Sequence, residues 1–316
     1  MNSQSASAGV AAAQNAPRAW SIEKRQRFWG WVFLSPWIVG FTLFTAFPIA
    51  ASLLFSFMDF KIGEEMHFIG LKNWQTLVTD PITLQSLGVT IKFGLIALPV
   101  SILFPLALAA MLNSKHVVGK PILRVLFYMP YMVPAISGIF IWQSFLNGQT
   151  GWLNRLLRLI GFVDPPNWLF DSAWIHSAMV LIGLWGVGNA MLTMLASMQG
   201  VPTELYEAAD VDGAGPFTKF RKITFPMISP VILYNLVLTT IGLMQYFVVP
   251  FVLSSTTRSN PDTNFINLHL YRTAFQFFDM GYAAALAWFL FAIGLLLTIG
   301  IFATSRRWVY YSGGDL

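Results

Sequence analysis

Glu204 and Glu207 stand in a short charged stretch, Pro202 to Pro226, that separates two long apolar segments. Carboxylates near the start of a helix are favoured by its dipole. Pro202 and Thr203 supply that start, since proline is tolerated in a first turn and threonine can cap. Leu205, Ala208 and Ala209 fall at i, i+3 and i+4, one narrow face with two small residues on which a partner can pack closely. Asp212-Gly213 then supplies a turn, and Gly215-Pro216 restarts a second short helix carrying Phe217 and Phe220. The chemistry of such a helix-turn-helix knob is docking. It is too short and too polar to cross a bilayer, and an apolar chain has little reason to keep it unless something binds there.

Catalytic patterns are missing. The chain carries no Ser/His/Asp set, no phosphate-cradling glycine loop and no paired carboxylates. Zero cysteines exclude disulfides, thiolate metal ligands and thiol catalysis. His67, His116, His176 and His269 are dispersed without metal-ligand spacing, so no metal site and no catalytic residue is expected.

Composition sets the class. Of 316 residues, 56% are hydrophobic and 10% charged, against about 25% charged for soluble domains. Apolar runs near 28–58, 84–112, 122–146, 174–198, 231–253 and 281–304 meet the length a membrane span needs. The expected fold is therefore all-α, a polytopic bundle of six transmembrane spans. Residues 1–27 read as a disordered cytoplasmic tail, without the apolar stretch of a signal peptide. Residues 28–304 read as the transmembrane domain, with the charged loop at about 199–230, and 305–316 as a second cytoplasmic tail. Pro99, Pro105, Pro130, Pro134 and Pro250 fall inside spans, where proline kinks the axis.

Loop charge gives the orientation. With the N-terminus inside, the inner segments hold twelve basic residues: Arg18, Lys24, Arg25, Arg27, Lys115, Lys120, Arg124, Lys219, Arg221, Lys222, Arg306 and Arg307. The outer loops hold six: Lys61, Lys72, Arg155, Arg158, Arg258 and Arg272. The bias places both termini and the charged knob in the cytoplasm. The net charge of +5 reports this topology, since the basic residues are scattered through short connections and form no nucleic-acid patch. Lys92, alone in an apolar run near the outer end of the second span, reads as a snorkelling residue. Otherwise the spans lack the buried carboxylates or clustered histidines of a proton relay, which counts against the alternative of a stand-alone secondary carrier or channel.

Four polar or aromatic residues within spans suit a hydroxyl-bearing solute, which would be bound by hydrogen bonds and aromatic faces. Trp185 and Asn189 lie one helical turn apart in the fourth span, and Gln245 and Tyr246 lie midway along the fifth. Helix–helix hydrogen bonding within the bundle explains each one equally well when taken singly.

The knob resembles the EAA loop of binding-protein-dependent ABC importer permeases. Glu207-Ala208-Ala209, Asp212-Gly213, Ile223 and Pro226 stand at that family's spacing. Further resemblance covers about 28–304. Phe68-Ile-Gly-Leu-Lys-Asn73-Trp74 with Thr79-Asp80-Pro81, Gly151-Trp-Leu-Asn154 with Trp168-Leu169, and Gly281-Tyr-Ala-Ala-Ala-Leu are all similar to segments of sugar-type permeases. The branch is carbohydrate uptake, and the chain resembles the first permease of the maltose-type pair. One departure stands after the fifth span, where Thr256-Thr-Arg-Ser-Asn-Pro261 replaces the family's Gly-Gly-Pro turn. The resemblance implies a type I importer permease of a bacterial or archaeal plasma membrane, surrounded by membrane lipid. It implies a second homologous permease, an ATP-binding cassette ATPase dimer that uses ATP and Mg, an extracytoplasmic sugar-binding protein and a carbohydrate substrate. No cofactor is implied in this chain. It assigns ATPase coupling to Glu207, Ala208, Ala209, Asp212, Gly213, Ile223 and Pro226, and places Gln245 and Tyr246 in the region that holds substrate.

Overall fold

The computed structural model describes residues 21–256 and 260–311. The expectations for residues 1–20 and 312–316, and for Arg258 in the turn after the fifth apolar run, lie outside the described residues. The chain divides into two compact units, one ending at Leu54 and one beginning at Phe55.

Helix α1 is a 34-residue helix running from Ile22 to Phe55, and its residues up to Leu54 belong to the first unit. Ser21 caps it, its side chain accepting the Lys24 amide at 3.4 Å. The cap starts the helix before the apolar run, so Lys24, Arg25 and Arg27 are helical. None of the side chains between Ile22 and Leu54 is buried within this unit. Thr42–Ala46 is π-helical, closed by the Phe47 amide on the Thr42 carbonyl. Pro48 explains it. Proline lacks an amide and crowds the carbonyl four residues back, so the preceding turn widens. The same cause acts at Phe220–Thr224, ahead of Pro226, where the Phe225 amide reaches the Phe220 carbonyl.

The second unit begins with an antiparallel hairpin, β1 (Met58–Asp59) and β2 (His67–Phe68), paired Met58 to Phe68 and Asp59 to His67. Helix α2 (Lys72–Thr79) leads to the long α3 (Pro81–Asn113). Lys120–Tyr128 (α4) ends in a 3-10 turn, Met129–Met132, and α5 (Ala135–Phe145) leaves it at 102°. Pro134 sets that bend: Val133 before it is extended, at φ −72° and ψ 131°, as a residue preceding proline prefers, and neither Pro130 nor Pro134 has an amide to continue the helix. Outside the apolar spans lies α6 (Trp152–Leu159). Helices α7 (Ile175–Trp185) and α8 (Gly188–Gln199) meet at 55°. Gly188 sits against α4, where a Cβ would come within 2.6 Å of the Phe127 carbonyl. After α9 (Thr203–Val211) and α10 (Pro216–Lys219), the π-helical turn feeds α11 (Phe225–Met244) and then α12 (Val248–Thr256). Helices α13 (Ile266–Phe275) and α14 (Met280–Ser305) complete the unit. Among the described residues, four helices are long and apolar enough to cross a membrane, or up to six where each bent pair is one span.

Helix α3 is the central post and packs on α8 and α11. Three buried clusters follow the bundle. The first joins Phe93, Leu146, Ile175, Met179 and Phe265. The second joins Leu112, Met191, Met194, Met198 and Ile228, and the third Leu77, Met244, Ile266 and Leu286. Lipid is as apolar as these side chains, so close packing and hydrogen bonding hold the spans together.

Polar contacts close the end of the bundle that holds the hairpin. Asp80 caps α3 through the amides of Ile82 and Thr83 at 3.1 and 3.2 Å. The Thr83 hydroxyl lies 2.7 Å from Asp80, 2.8 Å from Tyr282 and 3.1 Å from His269. Burial works to raise the Asp80 carboxyl, but the bonds from Thr83, the two amides and Tyr282 outweigh it and hold the pKa below 3.8. Burial, with Arg272 nearby, keeps His269 below 6.5 despite the opposing pull of Asp80. The two side chains, 3.7 Å apart, therefore form no ion pair at neutral pH. Where α14 begins, the Gly281 amide donates to the Phe60 carbonyl at 3.0 Å, and any Cβ there would overlap the Met58 carbonyl.

Candidate coupling knob and pathway residues

Pro202 is the N-cap of α9 and Thr203 its first helical residue, with no side-chain cap bond. This corrects the expectation that Thr203 caps. Proline already fixes the extended entry, so the cap position is taken one residue earlier. Asp212 is the C-cap, and Gly213 adopts a left-handed φ of +71°. The Gly213 amide bonds the Asp210 carbonyl at 3.0 Å and the Ala214 amide the Ala209 carbonyl at 2.9 Å. Those two bonds are a Schellman closure, which needs the left-handed residue that glycine provides at no steric cost.

The knob is braced from within. Lys219 on α10 forms an ion pair with Asp210 on α9. The Tyr206 and Thr224 hydroxyls lie 2.8 Å apart, joining α9 to the π-helical turn. The outward surface carries Glu204, Leu205, Glu207, Ala208, Asp212 and Gly213, all exposed. Ala209 is half-buried, and Ile223 and Pro226 lie half-buried at the base. The seven residues expected to act together thus divide into an exposed face and a buried root. Two large apolar side chains complete the exposed surface, Val211 at 89% and Phe217 at 76% exposure. Val211 escaped the sequence reading, although an aliphatic residue two before a glycine turn is the available signal.

The pathway candidates do not form one site. Trp185 ends α7 and Asn189 lies in α8, with the 55° bend between them. They are therefore not one turn apart on a single helix, because the Gly186–Val187 break interrupts the register. Asn189 is exposed, while Trp185 packs edge-on to Trp142 with ring centres 6.1 Å apart. Gln245 and Tyr246 lie in a three-residue break between α11 and α12 and not in mid-helix. Gln245 faces a cleft of about 870 Å³ shared with Asn267, Phe247, Phe291 and Thr298. Its backbone carbonyl accepts from the Asn267 amide group at 3.0 Å. Tyr246 turns inward, stacked on Phe93 at 4.8 Å and edge-on to Phe265 at 5.3 Å. Its hydroxyl is buried with no hydrogen-bond partner, as is the Trp142 indole nitrogen beside the same cluster. Among the described residues, no group of three His, Asp or Glu side chains could hold a metal ion.

A bundle of apolar helices, two of them sharply broken, with a rigid polar knob joined to one helix, defines a polytopic transport permease. The chain belongs to the family of binding-protein-dependent transport system inner membrane components, whose profile matches residues 101–310. It is 35% identical over 288 residues to the "Probable ABC transporter permease protein YesP" of Bacillus subtilis (strain 168), covering 90% of this chain and 93% of that one. The arabinooligosaccharides transport system permease protein AraP of the same organism is 33% identical over 286 residues, covering 90% and 88%. The fold is similar to that of a chain in the crystal structure of a bacterial alginate ABC transporter in complex with an alginate pentasaccharide-bound periplasmic protein. That match has a TM-score of 0.79 at 22% identity and covers 90% and 96% of the two chains. Family membership makes this a multi-pass inner-membrane subunit without catalysis of its own, ATP hydrolysis belonging to a separate subunit.

Proposed function

We propose that the chain forms half the translocation pathway of a binding-protein-dependent sugar importer and is driven through its knob. The carrying observation is continuity. The exposed acidic face of α9 is capped, braced by Lys219 and Tyr206, and passes through one π-helical turn into α11. Helix α11 has 20 residues and spans about 30 Å, so a push on the knob arrives at Gln245 and Tyr246 along a single rod. A homologous permease supplies the other half, an ATPase dimer that binds MgATP receives the knob, and a sugar-binding protein docks on the opposite face.

The basic residues of the inner segments set the knob and both termini in the cytoplasm. Glu207 meets a basic residue of the ATPase groove, with Ala208, Ala209, Asp212 and Gly213 shaping the contact and Ile223 and Pro226 anchoring its root. Sugars as cargo are supported by the arabinooligosaccharide assignment of one relative. Trp185, Asn189, Gln245 and Tyr246 serve the pathway, with Trp142 added. Two of the buried donors without a hydrogen-bond partner, Trp142 Nε1 and the Tyr246 hydroxyl, sit among aromatic rings, and an unpaired buried donor is costly. A second conformation or a sugar hydroxyl relieves that cost.

Glu207→Ala tests the reading in the reconstituted transporter. Insertion is expected to stay normal while ATPase association weakens or uptake uncouples from hydrolysis. Wild-type uptake together with wild-type assembly would sink it.

A further inference from the structure

The backbone of α11 has a defect near its start. Pro226 should give its carbonyl to the amide of residue 230, but residue 230 is also a proline and has none. Ser229, fully buried, fills the gap: its hydroxyl donates to the Pro226 carbonyl at 2.6 Å. The same oxygen accepts the Tyr310 amide at 2.8 Å, from a residue 81 positions further on. Tyr310 belongs to a segment that turns back after α14, with the amides of Trp308 and Val309 on the Ser305 carbonyl at 3.1 and 2.9 Å. Trp308 packs against the buried cluster of Leu112, Val201 and Ile228, which also receives Phe220 and Ile223 from the root of the knob.

We propose that residues 306–311 are a strap that delivers knob motion to α14 as well as α11. Ser229 and Trp308 are its positioning residues. The chain of bonds runs from the Pro226 carbonyl through the Ser229 hydroxyl to the Tyr310 amide, and its Pro226 end lies two residues beyond the π-helical turn. A simple end-cap for α14 has no need of a partner on another helix, because the turn at Ser305 already closes it. The strap lies at the knob end of α11, while α11 and α14 together line the Gln245 cleft at its other end. Without the strap, α11 moves and α14 lags, so the cleft distorts instead of opening as a unit. The inference rests on the knob being the drive point.

The test uses the complete reconstituted transporter and the variants Tyr310→Pro and Trp308→Ala, with Glu207→Ala alongside. Tyr310→Pro removes the strap's donor, and restricts the backbone of Val309 before it, while leaving the bond from Ser229 to Pro226. Both strap variants are expected to keep ATPase assembly while the ATP hydrolysed per sugar imported rises, by about fivefold in Tyr310→Pro, the shift one lost hydrogen bond gives a two-state balance. An unchanged ratio in both overturns the strap, whatever happens to thermal stability. Loss of assembly in step with uptake also overturns it. If Glu207→Ala keeps wild-type assembly and uptake, the knob reading fails instead, and the strap variants are then read on their own ratio.

Discussion

The hydroxyls of Tyr206 and Thr224 lie 2.8 Å apart and join α9 to the π-helical turn that leads into α11. Thr224 is buried, so removing its partner leaves a polar atom with no replacement from water. Tyr206→Phe is expected to cost about 1 to 1.5 kcal/mol, read as a lower unfolding midpoint of the purified chain. In a double-mutant cycle with Thr224→Val the loss in the double variant should be smaller than the sum of the two single losses. Full additivity would mean that the pair does not interact.

Gly213→Val should be worse than a lost contact. Its left-handed φ costs an ordinary residue about 1–2 kcal/mol, and asparagine less. The expected order of ATPase binding is therefore wild type, then Gly213→Asn, then Gly213→Val. Nothing lies within 4 Å of the position a Cβ would take, so the penalty is conformational. Equal binding by all three would show that the turn tolerates another backbone.

Gln245 and Tyr246 are neighbours with opposite surroundings, and their variants should part accordingly. Gln245→Ala keeps the backbone carbonyl that Asn267 uses, so the fold should hold while sugar uptake falls and stimulation of hydrolysis by loaded binding protein stays nearly intact. Tyr246→Phe deletes a hydroxyl that has no partner here. Stability should stay level or rise by about 1 kcal/mol, while uptake drops. Unchanged uptake in either variant removes that residue from the pathway.

Acid should loosen the contact between α13 and the cap of α3. His269 is held below its ordinary value of 6.5, so the folded chain binds fewer protons than the unfolded one as pH falls through that range. Its contribution is complete above pH 6.5 and is lost as pH falls towards the folded value. Asp80, held below 3.8, keeps its contribution above that pH and loses it only below. Between about pH 6.5 and 4, His269 is thus the group of this cluster that responds. Melting of the protein across that window should fall less steeply in His269→Gln than in wild type. Identical slopes would exclude His269 as the source.

Parts of this architecture were legible in the sequence, and the reasons are local. Pro202, Gly213 and Pro216 punctuate the knob, so the start and end of its first helix and the start of its second were legible. The second does not stop short as expected but runs on into the fifth span. The membrane class followed from apolar runs, whose lengths bilayer thickness sets. The breaks at Gly186–Val187 and Gln245–Phe247 stayed hidden because an apolar run looks the same whether its helix is continuous or interrupted. Which way Tyr246 faces was hidden as well. All sides of a buried span are apolar, and periodicity then says little about direction. The contact between Ser229 and Tyr310 could not be read at all, since it joins a helix to what looked like a tail.

Gly281 has a practical consequence for engineering. The hairpin backbone passes so close to the first turn of α14 that no side-chain carbon fits between them. The two segments are distant in sequence yet inseparable as a graft. A chimera that moves residues 58–68 of this chain into another permease needs a glycine at the matching position in the first turn of the host's last helix, or the seam will not close.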